Sequence, residues 1–81
     1  MTDEQTINSP LPGTFYRKRS PEEDPFVTEG ERVRPGDVIG LVEIMKTFSE
    51  VTAKNEGLVD RFLVEDGDPV DAGQPLVVLS D

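Results

Sequence analysis

The sequence predicts an all-β domain made of two similar halves folded against each other. Three observations predict it. Turn signals recur at Glu29-Gly30, Pro35-Gly36, Asp66-Gly67 and Ala72-Gly73, and short β-branched runs lie between them. The stretch EGERVRPGDVIGLV, residues 29–42, returns 37 residues later as DGDPVDAGQPLVVL, with glycines on glycines and apolar positions matched. Further upstream the match continues at an offset of 44, where Gly13 falls on Gly57. A unit of this size cannot bury its own strands, so each half must cover the apolar face of the other about an approximate two-fold axis. With 81 residues the chain is one domain with a small core.

Residues 1–6 are polar and acidic and are expected to form a flexible N-terminus, with the folded domain running over residues 7–81. Ser9-Pro10-Leu11-Pro12-Gly13 has the chemistry of a turn, and Thr14-Phe15-Tyr16 that of a strand. The change of offset, 44 − 37 = 7, requires seven extra residues in the first half between Arg17 and Phe26. Composition marks the same place: RKRSPEEDP, residues 17–25, is charged and carries two prolines. A projecting loop is therefore expected at about Lys18 to Pro25, since surface loops accept insertions. Further strands are expected around Val38-Ile39, Leu41-Val42, Leu58-Val59, Phe62-Leu63-Val64 and Leu76 to Leu79.

The linking stretch 38–53, VIGLVEIMKTFSEVTA, gives conflicting signals. Leu41, Ile44, Met45, Phe48, Val51 and Thr52 have helical spacing. Against a helix, residues 36–42 repeat the strand-like residues 73–79, and residues 47–52 are β-branched and aromatic. Sixteen residues far exceed a usual strand of about 5–6, so a β reading requires a fold-back, which symmetry places near Met45-Lys46. A two-residue hairpin turn favours Asn-Gly because its central residues need φ > 0, so Met-Lys breaks the local rule. A rule broken at a tip without structural gain marks a place for function.

Composition narrows that function. The chain has no histidine and no cysteine, which removes imidazole and thiolate chemistry and any disulfide framework. Its 17 acidic and 8 basic residues give a net charge of −9, unsuited to nucleic acid or anionic lipid, and no apolar run is long enough to span a membrane. The expected compartment is the cytoplasm. Of three lysines, Lys18 and Lys54 sit in polar company, whereas Lys46 stands between Leu41, Val42, Ile44 and Met45 on one side and Phe48 on the other. Such an ammonium either snorkels from a buried strand or is displayed, and its place at the fold-back favours display.

Glu43-Ile44-Met45-Lys46-Thr47 resembles the biotinyl-lysine motif of biotin carboxyl carrier proteins, commonly Glu-Ala-Met-Lys-Met. Ser9 to Arg17, Gly36-Asp37 and Gln74 to Val77 are similar to the bacterial acetyl-CoA carboxylase type, so the resemblance covers residues 7–81. It implies a flattened barrel-sandwich of two four-stranded antiparallel sheets with pseudo-two-fold symmetry, in which an exposed hairpin carries the modified lysine and the insertion forms a thumb. It implies covalent biotin on Lys46, with Glu43, Met45 and Thr47 as the flanks that a biotin protein ligase reads. It also implies a carrier without catalytic residues or metal, passing carboxylate from biotin carboxylase to carboxyltransferase, expectedly of acetyl-CoA carboxylase. Ile44 and Thr47 depart from the usual motif. The other readings are a carrier of another biotin-dependent carboxylase, a lipoyl-type carrier, which usually has Asp where Met45 stands, or an unmodified β-sandwich interaction module.

Overall fold

In a computed structural model that describes residues 5–80, the described residues form eight strands and no helix. The strands are β1 (Gln5–Asn8), β2 (Gly13–Tyr16), β3 (Arg32–Val33), β4 (Val38–Ile44), β5 (Thr47–Thr52), β6 (Gly57–Phe62), β7 (Pro69–Val70) and β8 (Pro75–Ser80). They make two four-stranded antiparallel sheets, ordered β1-β8-β6-β3 and β5-β4-β2-β7. The all-β sandwich expected from the sequence is the observed fold. The folded region starts earlier than the expected Ile7. Gln5 and Thr6 already pair with Leu79 and Val78, while residues 1–4 of the expected flexible terminus lie outside the described residues.

The helical spacing over 38–53 is overruled by strand pairing, from Ile44↔Thr47 back to Val38↔Thr52. The apolar stripe that suggested a helix is split by the sheet. Leu41 and Val51 are buried, whereas Met45 is 91% and Phe48 55% exposed.

The repeat is visible bond by bond. Advancing β3 and β4 by 37 residues gives β7 and β8, and advancing β1 and β2 by 44 gives β5 and the start of β6. Thr14↔Glu43 becomes Leu58↔Ser80, Gly13↔Val70 becomes Gly57↔Val33, and Thr6↔Val78 becomes Glu50↔Leu41. The turns follow: Gly30 N donates to Val59 O as Gly67 N donates to Phe15 O, and Gly36 N to Ala53 O as Gly73 N to Ser9 O. All four of these glycines have φ between 82° and 95°, the left-handed region that glycine enters without steric penalty.

The core lies between the sheets and is shared by both halves, with Phe15, Val33, Ile39, Val59, Leu76 and Val77 among its least exposed members. One exchange distinguishes the halves. In the first, the ring of Phe15 lies over Gly40, where an added Cβ would come within 2.5 Å of its Cε1. In the second, the equivalent positions are Val59 and Val77, both buried. One large side chain over a bare backbone fills the space that two valines fill opposite.

The insertion is also resolved. Phe26 N donates to Arg17 O (2.9 Å), closing a loop of the eight residues 18–25, whereas the counterparts Phe62 and Leu63 are consecutive. The expected seven residues were a net figure. A bulge in β6, where Val59 pairs with Leu79 and Arg61 with Val78, adds one residue, Asp60, to the second half.

Candidate functional site

The site is built on the turn between β4 and β5. These strands leave only Met45 and Lys46 as the connection, and both are left-handed, with φ of 50° and 67°. A two-residue hairpin loop needs that conformation because its twist matches the strands. For a residue with a Cβ it costs about 1–2 kcal/mol. Cross-strand pairs Ile44↔Thr47 and Glu43↔Phe48 hold the turn in place. Met45, Lys46 and Thr47 are all exposed, so the amine of Lys46 is displayed on a constrained tip rather than snorkelling from a strand.

Behind the tip, on the outward face of the same sheet, Tyr16 of β2 and Phe48 of β5 approach with ring centroids 6.3 Å apart. The insertion leans over them. Tyr16, Glu43, Phe48 and Asp66 on the barrel side, with Lys18, Arg19, Ser20 and Pro21 on the loop side, line a cavity of about 360 Å³. The loop is anchored at its base. The Arg17 guanidinium lies 3.9 Å from the centroid of Phe62, and Arg17 N donates to Asp66 Oδ1 (2.7 Å). Arg17 Nε is buried and finds no acceptor among the described residues, so the ring face holds this guanidinium. Arg19 packs 5.3 Å from the Phe26 centroid and meets Glu50 at 3.8 Å, an exposed ion pair that contributes little.

Of the residues singled out in the sequence, Met45, Lys46 and Thr47 share the tip. Glu43 does not: it sits back on β4, beside Tyr16 and Phe48. Tyr16, Phe48 and Asp66 were missed. Phe48 left a trace, an exposed aromatic two residues past the lysine. Asp66 could have been found through the repeat, because its counterpart Glu29 accepts from Phe62 N as Asp66 accepts from Arg17 N. Among the described residues no group of His, Cys, Asp or Glu is arranged to hold a metal, and no helix is long and apolar enough to cross a membrane.

Partial burial raises the pKa of the Tyr16 phenol above the ordinary tyrosine value; the Glu43 charge, a hydrogen bond with Glu43 and the Asp66 charge add to the rise. The folded chain therefore disfavours the phenolate. This contribution to stability is complete below a pH of about 10, the unfolded value, and is lost as pH rises through the folded pKa. Tyr16 is the only tyrosine and there is no tryptophan, so absorbance reads this cavity directly. We expect its ionisation midpoint to lie above that of free tyrosine and to move down in Glu43→Gln. A midpoint at the free value would place the phenol away from both carboxylates.

Residues 5–79 match the protein family described as "Biotin-requiring enzyme". The chain is 41% identical over 73 residues to the biotin carboxyl carrier proteins of acetyl-CoA carboxylase from Haemophilus influenzae and Pseudomonas aeruginosa, covering 90% of this chain and 47% of each of those. It is 40% identical over 74 residues to the chloroplastic biotin carboxyl carrier protein of acetyl-CoA carboxylase 2 from Arabidopsis thaliana, covering 91% of this chain and 29% of that one. Among solved structures it is similar to Kluyveromyces lactis urea carboxylase, with a TM-score of 0.78 at 31% identity over 95% of this chain and 6% of that one. The chain thus spans less than half the length of these curated relatives.

Proposed function

The chain belongs to the biotin-requiring enzyme family, and from that membership we propose that it is a biotin carboxyl carrier domain whose Lys46 ε-amine is joined to biotin as an amide. The observation that carries the assignment is the Met45-Lys46 turn: a left-handed, exposed lysine on a two-residue hairpin between the halves of the barrel. A primary amine held clear of the sheet suits enzymatic acylation. Met45 before it favours biotin over a lipoyl group, and amide formation would take the net charge from −9 to −10.

When bound, biotin supplies a ureido ring that can accept and release carboxylate. The chain's own residues tether and orient it. The stem of Lys46 extends the reach of the arm, and tethering holds the group at an effective concentration of about millimolar for partner sites. Tyr16 and Phe48 offer an apolar wall, and Lys18, Ser20 and Glu43 offer polar groups, in a cavity behind the lysine. Glu43 and Thr47 are proposed as residues read by the biotin protein ligase. The partners proposed are biotin carboxylase and the carboxyltransferase of acetyl-CoA carboxylase, supported by the names of the similar carriers; the likeness to urea carboxylase keeps other acceptors open to test. The compartment proposed is the cytoplasm, in keeping with the likeness to the bacterial carriers of acetyl-CoA carboxylase. The test is to mix the biotinylated domain with biotin carboxylase, ATP and radiolabelled bicarbonate. Label should appear on the domain and leave it when carboxyltransferase and acetyl-CoA are added. A biotinylated domain that takes up no label contradicts the carrier role.

Ile44→Ala combined with Thr47→Met restores the usual flanks. Faster biotinylation by a ligase from an unrelated source is expected, with little change in melting temperature. Unchanged kinetics would show that these two positions are not read.

The loop over the cavity is proposed to contact the cofactor or a partner enzyme. Deleting residues 18–25 joins Arg17 to Phe26 as Phe62 is joined to Leu63, so the barrel should still fold. Carboxylation turnover of the biotinylated deletion variant should fall. A normal melt with normal turnover would make the loop passive, and a lost melt would make it structural.

A further inference from the structure

Gly13 opens β2 directly beneath the root of the lysine hairpin. A Cβ built there would fall against the carbonyl oxygen of Glu43 and lie 2.8 Å from Val42 Cγ1 and 2.9 Å from Ile44 Cγ1. Its φ is outside the left-handed region, so the backbone conformation does not demand glycine; the closeness of β4 does. Glu43 and Ile44 are the last residues before the Met45-Lys46 turn, and Thr14, next to Gly13, pairs with Glu43. A backbone carbonyl cannot rotate away as a side-chain tip can. Any side chain at position 13 must therefore be met by a shift of β2 against the end of β4, next to the turn that β4 carries.

We propose that Gly13 is a positioning residue: its missing side chain lets the end of β4 lie close against β2 and so sets how the hairpin presents Lys46 to the enzyme that modifies it. This inference rests on the reading of Lys46 as the attachment site. The two-fold repeat supplies a matched control. Gly57 is the counterpart of Gly13, and a Cβ there would meet Ser80 O at 2.9 Å and Leu79 Cβ at 3.3 Å. The same fit recurs, somewhat looser, at the end of β8, where Ser80 stands in place of Glu43 and which belongs to the other sheet, away from the Met45-Lys46 turn. Substitution at either glycine lowers stability, but only the first displaces the lysine.

The experiment compares Gly13→Ala and Gly57→Ala with the parent protein at a temperature where circular dichroism finds all three folded. One readout is kcat/KM of a biotin ligase with the unmodified protein as substrate. The other is the amide chemical shifts and HN–Hα couplings of Met45, Lys46 and Thr47 before modification. A reacting group misplaced by about 1 Å can lose on the order of a hundredfold in rate. Gly13→Ala should therefore lower kcat/KM by roughly ten- to hundredfold and shift the hairpin resonances. Gly57→Ala should leave both unchanged while melting at a lower temperature. Equal rates and equal hairpin shifts in the two variants would overturn the proposal. If Gly13→Ala alone does not fold, Gly13→Ala/Ile44→Ala removes one of the three clashes and is read against Ile44→Ala by the same criteria. If the parent protein accepts no biotin, the reading of Lys46 fails, and the hairpin resonances still decide the role of Gly13.

Discussion

Replacing Lys46 by arginine is expected to abolish biotin attachment while leaving the fold intact. Arginine keeps the charge and nearly the length, but its guanidinium stays protonated and offers no free amine to an activated carboxylate. Lys46 lies between β4 and β5 rather than in either, and its side chain is exposed. The substitution should therefore change stability by no more than about 0.5 kcal/mol. Lys18 and Lys54 remain as internal controls, both amines on the same chain and neither in a hairpin tip. Intact mass and a thermal melt check the two halves of the expectation. A biotinyl group on Lys18 or Lys54 of the variant would sink the assignment.

The exchange between the halves of the core sets up the second large effect. Gly40→Val places a side chain where the ring of Phe15 now lies, with the Tyr16 carbonyl also only 2.9 Å from the new Cβ. Phe15 is fully buried. Overpacking of this kind costs about 1–3 kcal/mol and occasionally more, and the upper end is expected here. Phe15→Val alone leaves a void and should cost about 1–3 kcal/mol. The two together reproduce the arrangement of Val59 and Val77. Residues in contact couple by about 0.5–3 kcal/mol, so the loss in the double variant should fall short of the sum of the two single losses by an amount in that range. Denaturant unfolding of the four proteins measures this. Additive losses would mean that Phe15 and Gly40 do not share one space.

These two cases divide what could be read from the sequence from what could not. The two halves, the inserted loop and the fold-back at Lys46 were legible because glycines and apolar positions recur at fixed offsets, and a turn fixes its residues more strictly than a strand does. The start of β1 was not. Gln5, Thr6 and Asn8 are exposed on an edge strand and only Ile7 is buried, so alternation has a single apolar member to announce it. The helical period over 38–53 competed with the strand reading because Met45 and Phe48 are apolar yet exposed, outside the core. The bulge at Asp60 hid one inserted residue, since an offset reports only a net count. The cavity behind the lysine was not legible as a cavity, although Phe48 and Asp66 each left a trace in the sequence. Tyr16, Phe48 and Asp66 meet through cross-strand register and a loop that folds back, neither of which leaves a local pattern.

The identity of Lys46 as the attachment point is the claim on which the rest depends. It is tested most directly by expressing the chain with a biotin ligase and determining its intact mass, followed by fragmentation to locate the group. The expected result is one biotinyl group per chain, on Lys46 alone. No added group, a group on Lys18 or Lys54, or a lipoyl group in its place would contradict the account.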